Sequence, residues 1–198
     1  MVTQIKPKYY TPEEYLELEA TADYKNEYRD GEIIPMTGGT TNHNKIAGNF
    51  YAYLKFAFKG QKYDVYIGDV RLWISDFRQY TYPDVMVIDG EPIYEGNSKT
   101  TVTNPSLIVE VLSKSTQNYD QGDKFRFYRS IPQLQEYILL AQDRCYIMQY
   151  TKTPEGNWLL REHEQEAAIL QLQSLEFSIE IKELYEGVQF EETEGNNE

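Results

Sequence analysis

A chain of 198 residues with 40% hydrophobic and 26% charged side chains can bury one substantial core and is too apolar to read as disordered. Its formal net charge of −13 argues against broad, charge-driven adhesion to nucleic acid, while a local basic groove stays open. A single cysteine, Cys145, rules out an intrachain disulfide framework, and no apolar run is long enough to span a bilayer.

Met1 to Lys8 lacks the apolar stretch of a signal peptide, so the expectation is a cytoplasmic protein without membrane association. Thr11-Pro-Glu-Glu14 reads as a helix start, with Thr11 capping, Pro12 at the first helical position and Glu14 completing a capping box. Asp30-Gly31, inside Tyr24 to Met36, signals a hairpin that carries Glu27 on its first arm. After the loop Thr37 to Thr41, Asn42 opens a second helix whose Ile46, Phe50, Tyr53, Leu54 and Ala57 recur at helical spacing up to Lys59-Gly60. Strands are predicted around Tyr63 to Ile67, Val70 to Ile74 and Asp84 to Ile88. The polar, Gly- and Pro-containing stretch from Asp89 to Pro105 reads as a long connection or lid.

Ser106 to Ser113 then holds the most informative run. Leu107, Ile108, Val109, Val111 and Leu112 suit a strand covered on both faces, yet Glu110 sits in their midst, sharing a face with Ile108 and Leu112. An ionised carboxylate there costs several kcal/mol unless a cation or hydrogen-bond donors meet it, by roughly the penalty for any buried charge. Asp84, after Pro83, places a second carboxylate at the mouth of another buried strand. Past a polar loop, Asp120 to Arg129 reads as a helix with Asp120, Lys124 and Tyr128 on one face. Strands follow at Glu136 to Ala141, Cys145 to Tyr150, Trp158 to Leu160 and Ala168 to Leu172, with a closing helix over Ile179 to Tyr185. The pattern is mixed α/β, a sheet flanked by helices in a single domain over 1–190, ending in an acidic tail over 191–198.

Pro83-Asp84, Ile108-Val-Glu-Val-Leu112 and Asp120-Gln-Gly-Asp-Lys124 resemble the PD-(D/E)xK nuclease superfamily, and more closely the Uma family of bacterial restriction-endonuclease-like proteins. Glu27-Tyr-Arg-Asp-Gly-Glu32, His43, Tyr82-Pro-Asp-Val85, Glu110 to Thr116, Tyr128 and Gln135-Glu-Tyr137 fit in the same order. The resemblance implies a restriction-endonuclease-like fold, with Asp84 and Glu110 as metal ligands and Glu27 as an acidic residue near the site. By the same analogy the backbone carbonyl of Val111 is a further ligand. The superfamily's usual lysine, two residues after the glutamate, is Leu112 here, and Lys124 matches the family's placement of that lysine on the following helix.

The chemistry is coherent without the analogy. Two hard-oxygen carboxylates suit Mg²⁺ (or Mn²⁺), whereas two histidines and one cysteine make no convincing zinc set. Such an ion activates water and neutralises phosphate charge, and a lysine beside it stabilises what develops in the transition state. Lys124, Arg126, Arg129, Lys55, Lys59 and Lys62 are candidates for phosphate contacts. Structural explanations compete at every position: a turn carboxylate for Asp84, a buried Glu110–Lys124 ion pair, a cross-hairpin pairing for Glu27, a capping or packing role for His43. Asp120 is expected to cap or to orient Lys124, and Tyr128 to pack. Cys145 reads as a buried small residue, His163 lacks an evident partner, and Ser113 and Ser115 lack a nucleophile-elbow context.

The leading expectation is therefore a metal-dependent endonuclease acting on DNA, with Asp84, Glu110, Lys124 and Glu27 in the reaction and His43 and Asp120 in support. A homodimer would supply the two sites that double-strand cleavage needs. A non-catalytic binding or assembly module on the same fold is the alternative, motivated by the acidic composition and by Leu112. Hydrolysis of a small phosphate compound is a third.

Overall fold

The computed structural model describes residues 8–113 and 117–190. The expected acidic tail and Ser115 lie outside the described residues. In chain order the elements begin with α1 (Pro12–Glu19), β1 (Asn26–Arg29), β2 (Glu32–Pro35), α2 (Thr41–Ala57), β3 (Tyr63–Ile67) and β4 (Arg71–Ile74). A 3₁₀ turn, Ser75–Phe77, leads to β5 (Gln79–Thr81), β6 (Val85–Asp89), β7 (Thr101–Val102) and β8 (Leu107–Leu112). A helical run follows, made of α3 (Gln117–Tyr119), a π-helical turn (Asp120–Lys124) and α4 (Phe125–Tyr128). The chain closes with β9 (Glu136–Ala141), β10 (Ile147–Lys152), β11 (Trp158–His163), β12 (Ile169–Gln171), β13 (Ser178–Glu180) and α5 (Ile181–Leu184).

Two main sheets result. The larger has the order β11-β10-β9-β8-β6-β3, with β8 and β9 parallel and its other neighbours antiparallel. The smaller, β2-β1-β5-β4-β7, is antiparallel except where β4 meets β7. The mixed α/β class and the sheet flanked by helices agree with the sequence reading.

Strand β8 explains why its sequence is so apolar: every residue from Leu107 to Leu112 is buried. Leu107, Val109 and Val111 face one core with Val85, Val87, Ile138 and Leu140, covered by Ile46, Phe50 and Leu54 of α2. Ile108 and Leu112 face a second core with Met86, Ile88, Tyr137 and Leu139, covered by Tyr128, Ile131 and Leu134. Glu110 therefore points to the second face, as alternation requires. Helix α2 starts where Thr40 accepts the His43 N–H, and Gly60, at φ +79°, takes the left-handed turn after its end.

The N-terminal part packs by aromatics. The capping box of Thr11 and Glu14 fixes α1, which lays Tyr15 against Tyr28 and Tyr80 at centroid distances of 5.3 and 5.2 Å. At the far end of the chain, buried Glu136 accepts from Gln149 Nε2 at 2.6 Å and from the Ser174 hydroxyl at 2.6 Å, fastening the segment between β12 and β13 to β9.

Several expectations are corrected. The stretch from Asp89 to Pro105 is no free lid, because β7 pairs with β4 and Tyr94 bridges to Val102. Strand β5 is three residues long, too short for a periodic signal. The expected closing helix splits into β13 and α5. Cys145 lies half-buried in a bend before β10, not in a strand. His163 lies within β11, its Nε2 3.0 Å from Gln149 Oε1, so it has a partner after all.

The hairpin tip that positions Glu27 requires glycine. Gly31 sits at φ +105°, and a Cβ there would fall 2.2 Å from ring carbons of Tyr9. Gly31→Ala is expected to cost about 1–3 kcal/mol from backbone strain alone. The loss should read as a lower urea midpoint that Tyr9→Ala only partly restores. An unchanged midpoint would refute the assignment.

Candidate active site

The site gathers at one end of the larger sheet, where β8 ends, β6 begins and α2 has its N-terminus. Glu110 is 4% exposed, and two donors share its Oε1: Lys124 Nζ at 2.7 Å and the Tyr128 hydroxyl at 2.6 Å. Lys124 Nζ also lies 3.6 Å from Asp120 Oδ1. The π-helical turn carries both residues, and the Asp120 backbone carbonyl accepts the Tyr137 hydroxyl at 3.1 Å. Such turns insert an extra residue into a helical path and recur at functional sites.

Burial pushes the Glu110 carboxyl up to about 8, against the pull of Lys124 and with the added push of Asp84 and Asp120. Burial works against the Lys124 ammonium too, but Glu110, Glu27 and Asp120 outweigh it and hold the lysine well above its ordinary value. The two shifts oppose each other, since the lysine is best held by an ionised Glu110. Near-complete enclosure decides the direction for the carboxyl, and the surplus of surrounding carboxylates decides it for the lysine.

Asp84 stands one residue before β6. Its Oδ2 accepts the Val111 N–H at 2.8 Å and lies 3.1 Å from His43 Nε2. Burial would raise its carboxyl, but His43, the Val111 amide and Lys124 together bring it below the usual range. His43 responds in the opposite sense: burial lowers it, and the bond to Asp84 with the charges of Asp84 and Glu110 more than compensates. Thus His43 has its backbone capped by Thr40 and its ring on the Asp84 carboxylate.

Glu27 enters from the smaller sheet. It is 7% exposed, accepts the Thr81 hydroxyl on one oxygen and Arg29 Nη2 at 2.8 Å on the other. Burial raises its carboxyl, but the Lys124 charge, Thr81 and Arg29 bring it lower. Glu27 and Glu110 therefore act on the same lysine from two sheets.

The structure thus brings Glu27, His43, Asp84, Glu110, Asp120 and Lys124 into one electrostatic cluster, with Val111 joined through its amide. It does not bring in every candidate cation. Lys55 stands twelve residues along α2 from His43, about 18 Å at the helical rise, and Lys59 and Lys62 lie beyond it. Lys62 pairs with Asp89 at 2.8 Å. Arg126 lies over Phe77, 5.3 Å from the ring centroid. Lys114, Ser115 and Thr116 lie outside the described residues. Sequence reasoning missed Tyr128 as a hydrogen-bond donor, although its four-residue step from Lys124 was visible, and missed Arg29 and Tyr119, which come together only where the helical run meets the smaller sheet.

As a place for a divalent ion, the donor set is sparse. Among the described residues no group of three His, Cys, Asp or Glu side chains is arranged to hold a metal. Two hard-oxygen carboxylates, one on β8 and one just before β6, suit Mg²⁺, which keeps several waters and takes one or two carboxylates together with substrate phosphates.

Residues 12–182 match the Uma2 family, described as "Putative restriction endonuclease". The chain belongs to the Uma2 family. Two uncharacterized Synechocystis proteins are similar along most of their length. One, sll1609, is 44% identical over 162 residues, spanning 82% of this chain and 92% of its own. The other, slr1290, is 36% identical over 180 residues, spanning 91% and 93%. The fold is shared, at a TM-score of 0.72 and 18% identity, with the crystal structure of a putative nuclease from Anabaena variabilis, covering 89% of this chain and 97% of that one. No helix among the described residues is long and apolar enough to cross a membrane.

For this Uma2 protein the buried carboxyl makes a prediction about stability. Between the ordinary glutamate range and about 8, the folded chain keeps a proton on Glu110 that the unfolded chain has released. Stability in EDTA should therefore fall as pH rises through that window and level off above it. Glu110→Gln, which cannot ionise, should flatten the fall. Urea midpoints followed from the ordinary glutamate range to above about 8 test this, and parallel pH curves for the two proteins would overturn it.

Proposed function

We propose that this chain is a metal-dependent endonuclease that hydrolyses phosphodiester bonds of DNA. The observation that carries the reading is Lys124 Nζ 2.7 Å from Glu110 on the strand next to Asp84. A carboxylate pair with a lysine is thereby assembled although Leu112 occupies the usual lysine position. Membership of the family and the nuclease-like fold support the reading at the level of a nuclease; metal, bond and substrate are inferred from the residues.

Asp84 and Glu110, with the Val111 carbonyl as a further ligand, would hold Mg²⁺ or Mn²⁺, which supplies a Lewis acid for a phosphoryl oxygen and lowers the pKa of a bound water. Lys124 keeps its proton and so presents a fixed cation to the charge that develops on the phosphate oxygens. Tyr128 and Asp120 fix the lysine and the Glu110 oxygen it meets. His43 orients Asp84 through Oδ2, and Glu27 assists through water from the opposite sheet. Cleaving both strands of a duplex calls for two such sites, which a homodimer would provide.

One observation favours the alternative of a non-catalytic binding or assembly module. The closed Glu110–Lys124 pair satisfies a buried carboxyl without any ion.

Nicking of supercoiled plasmid separates the two readings. Wild type should cleave with Mg²⁺ or Mn²⁺ and stop on chelation. Asp84→Asn, Glu110→Gln and Lys124→Met should each lose roughly 100-fold or more, with unchanged circular dichroism. Undiminished cleavage by the two carboxylate variants would sink the proposal, and inactivity of wild type on every nucleic acid would favour the module.

A further inference from the structure

One cation beside the cluster has no place in the scheme above. Arg29 ends β1, two residues from Glu27. Its guanidinium carbon lies over the Tyr119 ring, 3.8 Å from the centroid. Tyr119 is itself held by Gln79, whose Nε2 donates to the phenol oxygen at 2.8 Å. Arg29 Nη2 donates to Glu27 Oε2 at 2.8 Å, and among the described residues its side chain makes no other hydrogen bond. Its Nε is enclosed and without a partner among the described residues, an uncommon state for a buried donor.

The side chain is nonetheless 32% exposed, against 10% for Lys124. One cation–π contact and one hydrogen bond hold in place a group that carries five donors. A cation oriented so firmly, with so few of its donors engaged, is pre-organised for an acceptor from outside the chain. Lys124 is the more enclosed of the two cations and already meets Glu110 at 2.7 Å and Asp120 at 3.6 Å. Other arginines are differently committed: Arg78 to Asp30 at 3.0 Å and Arg71 to Thr101 at 2.9 Å.

We propose that Arg29 is a substrate-contact residue whose guanidinium fork grips the non-bridging oxygens of a nucleic-acid phosphate next to the bond that is cut, an inference that rests on the nuclease reading. A planar fork matches two phosphate oxygens, as a lysine's point charge does not. Tyr119 is its positioning residue, acting through the cation–π contact. The grip is made in the ground state, so it sets affinity more than turnover.

The test uses the full chain and a fluorescein-labelled DNA duplex with Ca²⁺ in place of Mg²⁺, followed by anisotropy, and steady-state cleavage in Mg²⁺. Arg29→Lys keeps the charge beside Glu27 and should weaken binding roughly tenfold and raise KM while kcat changes little. Arg29→Gln should also lower the slope of log affinity against log salt by about 1, the signature of one lost phosphate contact, and Arg29→Lys should leave that slope as it is. Tyr119→Leu, which keeps the guanidinium and frees it, should weaken binding with the wild-type slope. If Arg29→Lys does not fold, Tyr119→Leu decides. Wild-type affinity and slope in the variants, with wild type binding and cleaving, would overturn this inference and leave the nuclease reading standing. A loss in kcat with unchanged KM would overturn it as well, since Arg29 would then act only through Glu27. Failure of wild type to bind or cleave any DNA would bring down both.

Discussion

A carboxylate set in the middle of a strand buried on both faces has to be met by something, and in this fold that demand organises everything around it. Glu110 lies among Ile108, Leu112, Met86 and Tyr137, where water cannot solvate it. Leaving its charge alone there would cost several kcal/mol, on the scale of effective penalties for buried ions. The chain answers with Lys124 and Tyr128 on a single carboxylate oxygen. Bringing in the lysine raises a second demand, because an ammonium is as costly to bury. Glu27 and Asp120 meet it from two directions, and Arg29 in turn balances Glu27. The cluster is a chain of compensations that starts from one residue.

Those compensations determine where helices can lie. The face of β8 that carries Val109 and Val111 has no polar group, so α2 covers it with Ile46, Phe50 and Leu54 in the ordinary way. The face that carries Glu110 needs a covering element with both apolar and charged side chains at helical spacing. The run from α3 to α4 supplies Phe125 and Tyr128 for packing and Lys124 for charge. Asp84 belongs to the opposite side of the balance. It stands at the sheet's end, where the first turn of α2 brings His43 within reach and a backbone amide of β8 is available. One carboxylate is thus held ionised by hydrogen bonds and the other is pressed toward its neutral form by burial, a difference set by their environments.

The sequence made the strand, its face and its paradox visible, because alternation and an interrupted apolar run are local properties. Glu110, Asp84 and the four-residue step from Asp120 through Lys124 to Tyr128 could all be found that way. So could the hairpin at Asp30-Gly31 and the capping box at Thr11, whose chemistry lies within four residues. What escaped was set by distance in sequence. Strands β5 and β7 carry too few residues to show a period, and they exist because β1 and β4 offer edges to pair with. Arg29 and Tyr119 are ninety residues apart, so neither pattern nor propensity could place one ring beneath one guanidinium. The lysines toward the end of α2 were suggested by charge alone, and the length of the helix sets Lys55 about 18 Å from His43.

The exchange at Leu112 shows which constraint the site obeys. On a strand, the residue two places after Glu110 shares its face, and a lysine there would reach the same carboxylate. Position 112 is instead 6% exposed and packed in the second core, a poor place for an ammonium. The lysine that meets Glu110 comes from the helical run laid over that face, and its amine arrives at 2.7 Å. Placement on the face matters; attachment to the strand does not. Moving the lysine to the covering element frees the end of β8 for apolar packing and ties the position of the charge to a π-helical turn. The geometry of the site then depends on how that turn seats against Tyr137, whose hydroxyl holds the Asp120 carbonyl. A lysine on the strand would be fixed by the sheet alone. A lysine on the turn can shift with it, so the cation and the carboxylate it serves are joined by packing and hydrogen bonds between two elements.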